Sequence, residues 1–100
     1  SEASLGILRT FVEETRKSIA GLTEARAVAD RVEAGRIAHK LIPLFAMLGA
    51  NTLVQHLRLL EKQDPDLSSS TWLQLLDEVL AQAQLLVEEA ESHTVKDDIS

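Results

Sequence analysis

Three histidines, sixteen carboxylates and no cysteine set the limits on what chemistry this chain can do. His39, His56 and His93 are far apart, with no His-x-x-x-His pair and no thiolate, so no zinc-type centre can be assembled from them. The acidic residues follow polar helical faces and lack the inward Glu-x-x-His arrangement of di-iron bundles. No Ser-His-Asp grouping and no glycine-rich phosphate loop is present. A single imidazole, that of His39, remains as a candidate reactive group. Imidazole is largely neutral at pH 7. Its free nitrogen is a nucleophile for phosphoryl groups, provided a partner brings the phosphorus in line with the ring. Such a residue makes its chain a transfer intermediary rather than a self-contained enzyme.

The surroundings of His39 strengthen that candidacy. On a helix, Ala34, Ile37, Ala38, Leu41, Leu44, Phe45 and Leu48 recur at the spacing of a core-facing stripe. His39 falls on the other side, among Gly35, Ile42, Pro43 and Ala46, with Val32, Arg36 and Met47 flanking. A solvent-facing helical surface is normally charged. An imidazole among small and apolar neighbours implies either a helix buried all round or a face that something else covers. On the second view Gly35, Ile42, Pro43, Ala46 and Met47 form a docking face, and the small residues leave room for a phosphate to approach. The cations of Arg36 and Lys40 would screen the charge of a phosphoimidazole. Pro43 lacks the N–H that would bond the His39 carbonyl and crowds that carbonyl with its ring, which predicts a bend over residues 39–43 that tips the imidazole outward.

Four helices must position this face. A chain of 100 residues, 45% of them hydrophobic, suits one small domain. Leu, Ala, Glu, Gln and Arg dominate, and no run alternates as a strand does, so the fold class is all-α. Helix one spans residues 1 to about 28, with Leu5, Leu8, Val12, Thr15, Ile19, Leu22 and Ala25 inward and Ser4 as a candidate cap. Asp30-Arg-Val-Glu33 has the form of a capping box and opens the His39 helix, which ends at Gly49. The third helix runs from a cap at Asn51 to Gln63, with Leu53, Leu57 and Leu60 inward, and Asp64-Pro65-Asp66 stops it. Ser68 to Ser70 caps a fourth helix from Thr71 to about Glu91, anchored by Trp72, and the polar residues from Ser92 onward fray. The expected architecture is an antiparallel up-down-up-down four-helix bundle, a single domain over 1–100 with an ordered core of about 4–92. His56 reads as a partly exposed surface residue and His93 as part of the tail.

Composition excludes several roles. A net charge of −6 argues against nucleic acid as a partner. No apolar run approaches the roughly 20 residues that span a bilayer, and no signal peptide is present. The lack of cysteine fits a cytoplasmic location, and the start at Ser1 fits a segment cut from a longer protein.

Ala38-His39-Lys40-Leu41, followed by Gly49-Ala50 and Leu60-Glu61, resembles the motif of histidine-containing phosphotransfer (HPt) domains. Phe11-Val-Glu-Glu-Thr15 and Asp30 stand where that family places its first-helix core and the turn before the histidine helix. The resemblance covers most of residues 5 to 62. It implies a monomeric phosphorelay module whose His39 accepts a phosphoryl group, usually at Nε2, from one receiver-domain aspartate and passes it to another. It implies no bound cofactor, Mg²⁺ residing on the receiver. It also implies that the parent protein could be a membrane-anchored hybrid sensor kinase. The family pattern His-x-Leu-Lys-Gly is broken, because Ile42 stands at the Lys position and Pro43 at the Gly position. Arg36, Lys40, Arg58 or Lys62 would then have to support the phosphate. The competing reading is a helical scaffold or oligomerisation bundle, or one that binds receivers without phosphotransfer.

Overall fold

The computed structural model describes the backbone of residues 2–99 and the side chains of 3–94. Its four helices are α1 (Glu2–Val28), α2 (Arg31–Met47), α3 (Asn51–Lys62) and α4 (Ser69–Ile99). Each packs against its neighbours in chain order and α1 closes the ring against α4, as an up-down-up-down bundle requires. The expected all-α four-helix plan is therefore what the chain adopts.

The turns follow from local chemistry. α2 ends in a Schellman motif, in which Gly49 sits at φ +71° and the N–H groups of Gly49 and Ala50 donate to the carbonyls of Ala46 and Phe45. α1 ends the same way with a less suitable residue, Ala29 at φ +55°, while Asp30 N–H bonds the Ala25 carbonyl. Asp30 then caps α2 by accepting from Glu33 N–H at 3.0 Å. Only half of the expected capping box forms, because the Glu33 carboxylate turns to Arg36 instead. Ser68 Oγ accepts from Thr71 N–H at the start of α4.

Two caps and one helix end differ from expectation. α1 begins at Glu2, so Ser4 lies within the helix rather than capping it. α3 starts with Asn51 already helical, and its N-cap, Ala50, offers no side-chain bond. α4 continues to Ile99 instead of fraying from Ser92. The polar composition near its end was misleading, because the antiparallel N-terminal part of α1 still packs there. Val87 and Ala90 pack with Leu8 and Val12, and Thr94 is buried with its hydroxyl donating to the Glu91 carbonyl.

The main core gathers Leu22, Leu41, Phe45, Leu57, Leu76 and Val79 from all four helices. Phe11 meets Phe45 edge to face at 5.6 Å between ring centroids. At the end opposite Gly49, Trp72 is buried beneath the Arg31 guanidinium, 5.5 Å above its ring, and Arg31 also donates to the Leu67 carbonyl. That clasp ties the start of α2 to the loop leading into α4. Leu48, expected inward, is half exposed at the helix end.

Candidate functional site

α2 is amphipathic in the sense its sequence implies, with Ala34, Ile37, Ala38, Leu41 and Phe45 all buried. His39 is on the opposite side, its side chain 74% exposed. Around it Val32, Arg36, Pro43, Ala46 and Met47 are exposed, giving an arc of small and apolar surface with the imidazole in its midst.

Two residues assigned to that face are not on it. Gly35 and Ile42 are buried. Both lie on the flank of α2 that faces α3, and α3 packs further round toward His39 than a helix read in isolation reveals. The absence of a side chain at Gly35 permits that approach, since a Cβ there would stand 3.2 Å from the Leu60 carbonyl oxygen. Ile42 therefore belongs to the core rather than to a docking surface.

The close approach of α3 brings Glu61 to His39. Glu61 Oε1 lies 2.6 Å from His39 Nδ1. A carboxylate can only accept, so Nδ1 carries the proton, and in the neutral ring the lone pair resides on Nε2. Among the described residues Nε2 has no side-chain partner, and the exposed ring turns it to solvent. The arrangement can present an imidazole nitrogen of fixed tautomer to an incoming electrophile, and stabilise positive charge on the ring through the Glu61 carboxylate.

In the sequence Glu61 stands out only as part of the Leu60-Glu61 motif, with no role at the histidine. The antiparallel return of α3 places residues 58 to 62 level with His39, and the acid among them, rather than Arg58 or Lys62, is the residue that reaches the ring.

The cations are arranged less favourably than expected. Arg36 is held by the Glu33 carboxylate through both its Nε and an Nη. The hydrogen bond from Arg36 holds Glu33 below the usual carboxylate range, with the charge of Lys40 adding to the effect. Arg36 and Lys40 line a charged cleft with Lys17 and Glu14 of α1, away from the Glu61 flank. Arg58 and Lys62 are exposed on α3. Met47 extends the arc into an apolar groove of about 610 Å³ shared with Ile7, Phe11, Leu44 and Leu48.

The remaining histidines have other surroundings. His56 bridges α3 to α4, with Nδ1 3.4 Å from Gln82 and Nε2 3.5 Å from Glu78, and is partly exposed, as its position off the leucine stripe implies. His93 is exposed on α4, beside Phe11 and Leu48. No group of three or more potential ligands among the described residues could hold a metal ion. No described helix is long and apolar enough to cross a membrane.

Comparison with known proteins bears on this site. No curated protein and no solved structure gives a significant match. The family model for the Hpt domain, whose members carry histidine phosphotransfer in phosphorelays and interact with receiver domains, matches residues 6–93. That span holds all four helices' packed segments together with His39 and Glu61, and the chain belongs to the Hpt domain family.

Proposed function

We propose that His39 accepts a phosphoryl group from the phosphorylated aspartate of one receiver domain and delivers it to the aspartate of another. The observation that carries this reading is the exposed imidazole whose Nδ1 is held by Glu61 at 2.6 Å. The Nε2 lone pair attacks the phosphorus of the aspartyl phosphate. The N–P bond forms as the P–O bond to the aspartate breaks, and the aspartate leaves as a carboxylate. The ring gains positive charge in this step, and the Glu61 carboxylate at Nδ1–H stabilises it. Return transfer reverses each event. Mg²⁺ belongs to the receiver in this scheme.

Exposed Arg36, Lys40, Pro43, Ala46 and Met47 are the residues proposed to meet the receiver. Lys40 is the better phosphate partner of the two cations beside His39, since Glu33 already engages Arg36. The domain acts as a monomer in the cytoplasm, meeting its receivers one at a time with modest affinity.

Incubation with a phosphorylated receiver tests the proposal. An acid-labile, base-stable phosphate should appear on the wild-type chain and be absent from His39→Gln. A chain that binds receivers yet stays unlabelled would establish docking without transfer. A stable dimer inert to phosphorylated receivers would support the scaffold reading.

A further inference from the structure

Gly35 lies one turn before His39, buried under α3. It is absent from the residues at positive φ, so no backbone conformation calls for glycine there. Glycine in the middle of a helix destabilises it relative to alanine. The need arises from what lies above it. A Cβ at this position would be 2.7 Å from Gln63 Nε2, 3.2 Å from Gln63 Cγ and 3.2 Å from the Leu60 carbonyl oxygen. The amide of Gln63 is the far end of a flexible side chain and can swing away. The Leu60 carbonyl is part of the α3 backbone and is joined by one peptide bond to Glu61. Gly21 offers a contrast, because its close neighbour is only the Ile37 side chain.

We propose that Gly35 is a positioning residue for the phosphotransfer assigned above to His39, and the inference rests on that assignment. Its bare α-carbon lets the α3 backbone at Leu60 close on α2, and this approach sets Glu61 within hydrogen-bonding reach of His39 Nδ1. A methyl group at position 35 displaces the Leu60 carbonyl by a few tenths of an ångström and carries Glu61 with it. The Nδ1–H hydrogen bond then lengthens. The tautomer with its proton on Nε2 gains population, and in that tautomer the lone pair is on Nδ1, beside Glu61, so the exposed Nε2 has none to offer phosphorus.

Long-range ¹H–¹⁵N spectra of the histidine rings read the tautomer without requiring any phosphotransfer. In the wild type His39 should hold its proton on Nδ1. In Gly35→Ala the share protonated on Nε2 should rise, and transfer from a phosphorylated receiver should slow by roughly threefold to tenfold. The urea midpoint should stay level or increase, because alanine favours the helix. Gly35→Ala combined with Gln63→Ala removes the side-chain crowding and leaves the Leu60 contact, so the tautomer shift should persist there. An unchanged His39 tautomer in both variants overturns the inference, even if transfer falls. A tautomer shift with unaltered transfer overturns it as well. Failure of both variants to fold does so too, since the added methyl must be accommodated by a small displacement. A wild type that holds Nδ1–H but accepts no phosphate would count against the phosphotransfer assignment instead.

Discussion

A carboxylate oxygen 2.6 Å from one imidazole nitrogen decides which nitrogen remains available for attack, and Glu61 makes that choice for His39. Another residue is less well satisfied. Thr15 is fully buried, and among the described residues its hydroxyl has no hydrogen-bond partner. Leaving such a group unpaired costs about 1–3 kcal/mol, whereas an apolar isostere carries no such penalty. Thr15→Val should therefore raise unfolding stability by about 1 kcal/mol or more in urea titration. A fall in stability would mean that the hydroxyl has a partner in solution. Spacing alone was enough to place His39 outward and Thr15 inward, because helical periodicity sorts the two sides of a helix. It could not show that Gly35 and Ile42 are covered, since that depends on how far a neighbouring helix wraps round. Nor could it single out Glu61, one of sixteen acids, whose importance comes from a contact between residues 22 positions apart.

At the level of the helix, Pro43 is the conspicuous anomaly. α2 runs through it without interruption from Arg31 to Met47, although the His39 carbonyl has no N–H donor at that position. Proline inside a helix is roughly 3 kcal/mol less favourable than alanine. Pro43→Ala should raise stability by up to about that amount, read from the urea midpoint, and straighten any bend over residues 39–43. Transfer kinetics that stay the same in this variant would show that the proline has no part in presenting the imidazole. Helix starts and stops were largely legible where a side chain or a glycine acts locally, as at Asp30, Gly49 and Ser68. They were illegible where packing between helices decides. The last turns of α4 have polar residues that suggest fraying, yet α1 lies alongside and the helix persists.

The whole molecule is 50 Å long because α1 and α4 both exceed the α2–α3 hairpin. Ion pairs fasten this long pair at two levels, Arg16 to Glu91 and Arg26 to Asp77, the latter through both carboxylate oxygens. The hydrogen bond from Arg26 holds the Asp77 carboxyl below its ordinary value. A carboxylate whose folded-state value is depressed binds fewer protons than in the unfolded chain. Its contribution is thus fully present above the unfolded carboxylate range and is lost as pH falls through the lower folded value. Asp77→Asn should lower the urea midpoint slightly at pH 7, and the difference from wild type should shrink at a pH well below the ordinary carboxylate range. A difference that is the same at both values would mean that the pair does not form in solution. The whole arrangement serves one atom. The most direct test is ³¹P and ¹⁵N spectroscopy of the ¹⁵N-histidine-labelled chain after phosphorylation by a receiver. Phosphorus coupled to Nε2 of His39, with the proton still on Nδ1, is the predicted result. Phosphorus on Nδ1, on another residue, or nowhere on the chain would contradict the account.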